Sequence, residues 1–418
     1  MSQPSTADCA EQPLTPETPV TTAVGITVNA LATFQPSTDP VAGQGFSGPL
    51  KVGILSTYPP TPCGLATFSA ALAHGLTAHG ADVSVVRVSD GTPSSSTRVI
   101  GELVNGSPGS VAACADLLNQ SDIAVIQHEY GIYGGVDGDE VAGIIDGLRI
   151  PSILIAHTIL KNPTRHQRSV LEAVAARADQ VIVMSEAASE RLRCDFDIDR
   201  RKVATIPHGA SVPTNACVRG GRPTLLTWGL LRPGMGIERV IEAMGSLNGL
   251  PGRPRYLVAG QTHPDALAAD GEAYRDARIE QARRSGVADS VCFDTSYRNV
   301  SMLTALVQSA AVVVLPYDST DQVTSGVLVD AVASGRPVVA TAFPHAVELL
   351  ASGAGIVVAH DDPDALASAL RRVLTQPRLA GAMAAEARRL APEMAWPVVA
   401  SAYLRLAHRV LAQRRAQL

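Results

Sequence analysis

Short runs of consecutive apolar residues recur along this chain, separated by helical patterns, and they constrain the fold more than any other feature. Ser152-Ile-Leu-Ile-Ala-His157 and Val312-Val-Val-Leu-Pro-Tyr317 show the type. A strand with one wet face alternates apolar and polar residues; a strand covered on both faces does not. Continuous apolar strands with helices between them predict doubly wound parallel sheets. Such strands are expected at 51–57, 83–88, 123–128, 152–157, 180–185 and 203–208, and again at 224–229, 255–260, 290–295, 310–317, 336–341 and 355–359. In the first set Leu65, Phe68, Leu72 and Leu76 share one helical face, and 164–177 reads as another helix. In the second, helices are expected near 236–247, 273–285, 299–308, 325–334, 345–351 and 363–375, with a last helix at 397–415.

The two series are separated by a linker at 214–222, rich in small and turn-forming residues. The expected organisation is α/β, with two tandem Rossmann-like domains, 49–213 and 223–390, whose parallel sheets face a central cleft. A C-terminal segment, 391–418, packs back on the first domain. Residues 1–48, rich in Pro, Thr and Ser and without Lys or Arg, read as a disordered extension. The length, 418 residues, is too great for one ordinary core and agrees with this division.

Composition excludes several classes. A net charge of −5 argues against a nucleic-acid partner, which selects a basic excess. The six cysteines form no Cys-x-x-Cys pair, so neither a zinc site nor a disulfide framework is expected. No apolar run reaches the roughly 18 residues of a membrane span, and the N-terminus lacks the pattern of a signal peptide. The expected location is cytoplasmic, at most at the inner face of the membrane, where the basic end Arg409–Arg415 offers only weak peripheral contact. Gly-x-Gly-x-x-Gly, P-loop and nucleophile-elbow patterns are all absent. The acidic runs Asp195-Phe-Asp-Ile-Asp199 and Asp361-Asp-Pro-Asp364 read as solvated surface and a helix N-cap rather than metal sites.

The chemistry-bearing residues fall at predicted strand ends, where open parallel sheets bind ligands. After the strand ending at Tyr317, a polar loop leads into Ser325-Gly326-Val327, a helix start whose unpaired N–H groups suit a phosphate. Gln322 and Asp330 flank it. Gly64 opens the helix after the first strand, and His128-Glu129-Tyr130 ends the third. His157 and His208 end two further strands, the second inside a Pro-His-Gly turn. Arg232 is the cation of the loop Gly229–Glu238.

Taken together, Cys63–Phe68, His128–Gly135, Met184-Ser185, Pro207–Gly209, Gly260–Pro264 and Gln322–Gly326 resemble motifs of the retaining glycosyltransferases of family 4, which have the GT-B fold. The resemblance covers about residues 50 to 390. It looks closest to a bacterial subgroup carrying Cys-Gly-(Ile/Leu)-Ala-Thr-Phe, His-Glu-Tyr-Gly-Ile-(Phe/Tyr)-Gly-Gly and Gln-x-x-Ser-Gly. It implies transfer of a hexose, mannose or glucose, from a nucleotide-diphosphate sugar to a glycan, lipid-linked or small-molecule acceptor in glycan biosynthesis, with retention and with no metal or other cofactor. The implied donor-binding set is Gly64, Arg232, Tyr317, Gln322, Thr324, Ser325, Gly326, Val327 and Asp330, with Asp330 on the ribose. The implied catalytic set is His157, Glu129 and Arg232. His128, Glu129 and Tyr130 are expected to meet the acceptor or sugar. The family pattern has an Arg and a Lys where this chain has Leu230 and Met235. That departure keeps two alternatives open: a weak or inactive sugar-nucleotide-binding protein, and a nucleotide-sugar 2-epimerase.

Overall fold

The computed structural model describes residues 48–214, 220–296 and 298–417. The expected extension 1–48 therefore lies outside the described residues except for Gly48, as does the middle of the linker. The first half runs β1 (Lys51–Ser56), α1 (Gly64–Ala78), β2 (Asp82–Val88), β3 (Val99–Leu103), α2 (Pro108–Leu118), β4 (Ile123–His128), α3 (Glu140–Asp146), β5 (Ser152–Ala156), α4 (Arg165–Arg177), β6 (Gln180–Val183), α5 (Glu186–Asp195) and β7 (Val203–Thr205). The second runs β8 (Thr224–Trp228), α6 (Ile237–Leu247), β9 (Arg255–Ala259), α7 (Pro264–Asp270), α8 (Ala273–Arg284), β10 (Val291–Asp294), α9 (Val300–Ser309), β11 (Val312–Leu315), α10 (Gly326–Ala333), β12 (Val338–Thr341), α11 (Pro344–Leu350) and β13 (Gly355–Val358). Helices α12 (Pro363–Thr375), α13 (Pro377–Met394) and α14 (Trp396–Gln417) complete the chain.

All pairings within the two sheets are parallel. The seven-stranded sheet has the order β3-β2-β1-β4-β5-β6-β7, and the six-stranded one β10-β9-β8-β11-β12-β13. Every residue of β4, β5, β11 and β12 is buried, which is why their sequences do not alternate. In both sheets the order reverses beside the first strand, between β1 and β4 and between β8 and β11. Loops leaving the carboxyl ends of these strands diverge and open a crevice.

The halves are tied by two crossing segments. The Ala210 N–H donates to the Met394 carbonyl at 2.7 Å, and the Trp396 N–H to the Ala210 carbonyl at 3.3 Å. Helix α14 then lies along α1 of the first half.

Several elements depart from the sequence expectation. Strand β3 has an intermediate–exposed alternation and sits at a sheet edge, so it carries no continuous apolar run. Helices α2, α3, α5, α7 and α13 were not expected. In α5 the composition is polar, and the signal is the Ser185 N-cap, whose Oγ accepts from the Ala188 N–H at 3.0 Å. In α13, Pro392 lies within the last turn and masks the helical pattern. Strand β7 stops at Thr205, ahead of Pro207.

Candidate active site

Four loops leave the strands beside the two reversals, and all four reach one cavity of about 820 Å³ between the halves. Gly64, Glu129, Arg232, Tyr317, Gln322 and Asp330 are on its wall. The loop that delivers Gly64 is held from behind by Arg87, which is fully buried. Its Nε donates to the Tyr58 carbonyl at 3.1 Å, and its Nη2 to Thr61 Oγ1 at 2.8 Å and Asp90 at 2.5 Å. Its Nη1 meets Glu102 at 2.8 Å. A buried guanidinium is tolerated only when its donors are satisfied in this way.

On the second half, the Gly229–Gly236 loop and the Pro316–Ser325 loop are locked together. Gly236 has φ +66°, and a Cβ there would lie 1.7 Å from the Pro316 carbonyl oxygen, so only glycine fits. The Asp318 N–H donates to the Gly234 carbonyl at 2.9 Å, and Arg239 pairs with Asp318 at 2.7 Å.

The N-terminus of α10 offers two free amides rather than three. The Ser325 N–H donates to His345 Nδ1 at 2.9 Å, and Ser325 Oγ caps the helix by accepting from the Leu328 N–H at 3.3 Å. Ser325 is buried and does not reach the cavity wall. The expectation that its amide meets phosphate is corrected: Gly326 and Val327 line the cavity, and their N–H groups have no partner among the described residues. Gly326 is tightly approached, since a Cβ would stand 2.9 Å from His208 Nε2. Thr324 lines the cavity, and its Oγ1 is buried without a partner. Tyr317 packs on Phe343 with ring centroids 5.4 Å apart, and burial raises its hydroxyl pKa. Gln322 donates through Nε2 to the Thr324 carbonyl at 3.0 Å. Asp330 is half-buried, its carboxylate bonded to no described residue, and burial pushes it up to about 7.

Arg232 is the one permanently cationic side chain among the described residues of the wall. It is exposed to the cavity, and its charge acts on both Tyr317 and Glu129. Leu230 and Met235 also line the cavity, with Met235 only 8% exposed and packed into the core of the second half. Neither position carries a cation.

Across the cleft, Glu129 receives hydrogen bonds from Thr158 Oγ1 and from the Tyr130 N–H. Burial raises its pKa despite these bonds and the nearby Arg232. His157 donates through Nε2 to Gln127 Oε1, and burial holds it down to about 3. The structure does not bring His128 and Tyr130 to the wall. His128 is 1% exposed with both ring nitrogens unpartnered, and Tyr130 packs edge-on against it within the core of the first half. Their side chains lie behind Glu129 because successive residues at a strand end point to opposite sides.

His208 and Trp396 are among the wall residues missed as site members. His208 donates through Nδ1 to the Gly209 carbonyl at 2.7 Å, which leaves Nε2 bare and facing Gly326. Trp396 opens α14 and packs on Phe68 at 5.1 Å. The Pro-His-Gly turn signalled the first; nothing local signals the second, which arrives with the returning chain. Among the described residues, no group of three or more His, Cys, Asp or Glu is placed to hold a metal ion, and no helix is long and apolar enough to cross a membrane.

Both halves match known families. Residues 222–376 match the family model described as glycosyl transferases group 1, and residues 62–212 the one described as glycosyltransferase family 4. Together with the paired parallel sheets, these matches make the chain a glycosyltransferase of the GT-B type. Among curated proteins no match is found. Among solved structures it is similar to sucrose-phosphate synthase from Thermosynechococcus elongatus, with 18% identity, a TM-score of 0.69, and coverage of 87% of this chain and 100% of that one. A glycosyltransferase from Rickettsia africae gives 14% identity, a TM-score of 0.68, and coverage of 87% and 99%. Anabaena HepE in complex with UDP and glucose gives 17%, 0.66, and coverage of 88% and 100%. At these identities the likeness is one of fold.

Proposed function

We propose that this chain transfers a hexose from a nucleotide-diphosphate sugar to a hydroxyl-bearing acceptor, with retention and without a metal. One observation carries the reading. Two unpaired amides at a helix start, Arg232 as the lone cation among the described wall residues and the unpartnered carboxylate of Asp330 converge on a single cavity. Amides and a cation suit a diphosphate, and a bare carboxylate suits ribose hydroxyls. Gln322 and Thr324 supply polar atoms for the sugar, with His157 on the opposite wall. As the glycosidic bond breaks, Gly326, Val327 and Arg232 stabilise charge on the departing diphosphate. That diphosphate takes the acceptor proton, so no protein nucleophile is required. Closure of the halves excludes water and holds the acceptor hydroxyl at the anomeric carbon.

The acceptor side is lined by Leu65, Phe68, Ala71 and Trp396, with Glu129 as its one acidic side chain among the described residues. This supports an uncharged acceptor over a sugar phosphate, which would meet the carboxylate unfavourably.

HepE was solved with UDP and glucose, which makes UDP-glucose the first donor to test, followed by GDP-mannose. Nucleotide release should depend on a neutral acceptor from a saccharide panel, and the product should keep the donor's anomeric configuration by NMR. Release of no nucleotide from any common donor contradicts the reading. A second reading, donor binding without transfer, is favoured by Leu230 and Met235. Tight nucleotide binding with no turnover, in the native protein and in Met235→Lys alike, would establish it. An epimerase would instead interconvert free sugar nucleotides without acceptor.

A further inference from the structure

The loop from Asp318 to Ser325 is held by the other half of the molecule. Gln322, Thr324 and Gly326 line the cavity, while Asp321 and Val323, which alternate with the first two, engage the first half. Val323 is 3% exposed and belongs to the hydrophobic core of the first half, not to that of its own sheet. Its carbonyl accepts from Ser185 Oγ at 2.5 Å. Arg191 Nη1 donates to the Asp321 carbonyl at 2.6 Å and to the Ile159 carbonyl at 2.8 Å. It thereby bridges the loop to the segment just past His157. From the second half, the Glu348 carboxylate on α11 returns to the start of α5, accepting from the Glu186 N–H at 2.9 Å and the Ala187 N–H at 2.8 Å. A carboxylate on the open amides of a helix N-terminus is a favoured pairing.

All of these contacts converge on α5 and its cap, and none of Ser185, Arg191 or Glu348 lines the cavity. We propose that α5 clamps the donor loop, so that closure of the halves seats Gln322 and Thr324 for the nucleotide sugar, with Arg191 as the positioning residue and Glu348 as the latch. Asp321 and Val323 are held by the first half while their chain neighbours Gln322 and Thr324 line the cavity, so fixing the first pair restricts the second. The proposal rests on the reading that this cavity takes a nucleotide sugar.

The test uses Arg191→Met, which keeps the apolar stem and removes the donors, and Glu348→Gln. Affinity is measured by calorimetry without acceptor, with UDP-glucose or GDP-mannose, whichever the native protein binds more tightly, together with KM for donor and acceptor. Each variant should weaken the nucleotide sugar about tenfold and raise donor KM, leaving acceptor KM nearly unchanged. Combined with Gln322→Ala, Arg191→Met should add less than twofold, because both act through one loop. Arg191→Lys, which keeps a donor, should restore part of the affinity. Nucleotide-sugar affinity within twofold of native in both single variants, or full additivity with Gln322→Ala, overturns the clamp. If Arg191→Met does not fold, Glu348→Gln and Arg191→Lys decide alone. A native protein that binds no nucleoside diphosphate would instead refute the function proposed above.

Discussion

Replacing Arg232 by alanine is expected to lower kcat by about 10²–10³-fold, while changing donor affinity far less. The wall of the cavity offers one permanent cation among the described residues, because Leu230 and Met235 stand where the resembling family carries Arg and Lys. Charge grows on the departing diphosphate as the glycosidic bond breaks, so the guanidinium interacts more strongly with the transition state than with the bound donor. Loss of one well-placed donor to such a group costs about 2.7–4 kcal/mol of barrier. Here no second cation is at hand to share the loss. Arg232→Lys keeps the charge and loses the fork, and should fall between the two. Single-turnover rates with saturating donor measure the effect directly. A loss smaller than fivefold in Arg232→Ala would place the charge stabilisation elsewhere.

Asp330→Asn is expected to make the protein more stable at pH 8 and nearly unable to hold nucleotide. Burial raises the folded-state pKa of Asp330 from 3.8 to about 7. A group raised on folding contributes stability that is fully present below its unfolded pKa. That contribution is lost as pH rises through the folded value, here between about 4 and 7. At pH 8 the unpaired carboxylate therefore costs on the order of 2–4 kcal/mol, which the amide removes. Nucleotide binding runs the other way, because ribose hydroxyls donate to the ionised form, so affinity should strengthen as pH rises through 7. Half-buried His157 and His208 and buried His345, held down to about 3, 4 and 3, add an opposite trend in stability. Their contribution is present above about 6.5 and lost as pH falls. The difference between native protein and Asp330→Asn cancels the histidines and isolates the carboxyl. Thermal midpoints from pH 5 to 8.5, with and without nucleotide, supply the data. A variant no more stable than native at pH 8, or one that keeps full affinity, contradicts this account. Stability sacrificed at a ligand-facing residue is a common pattern in functional sites.

The two parallel sheets were legible in the sequence because strands buried on both faces leave unbroken apolar runs, as at Ser152–Ala156 and Val312–Leu315. Strand β3 was not, because an edge strand with intermediate and exposed residues resembles a loop. Helix α5 was hidden by a polar composition that makes sense only once its partners Glu348 and Asp321 are known. At the site, Gln322, Gly326 and Asp330, singled out around the Ser-Gly helix start, line one cavity. Which amide is free depends on His345, twenty residues further along, and no local pattern reports that bond. Glu129 and His157 fall on the wall as strand-end residues, whereas His128 turns inward by the same alternation. Trp396 arrives with the returning chain, and only the tertiary path reveals it.

The start of α10 and Arg232 together are expected to hold a diphosphate. In a crystal structure with a bound nucleoside diphosphate, phosphate oxygens should lie within hydrogen-bond distance of the Gly326 and Val327 amides and the Arg232 guanidinium, with the ribose on Asp330. A nucleotide bound with its phosphates away from those amides, or outside the cavity between the halves, would contradict it.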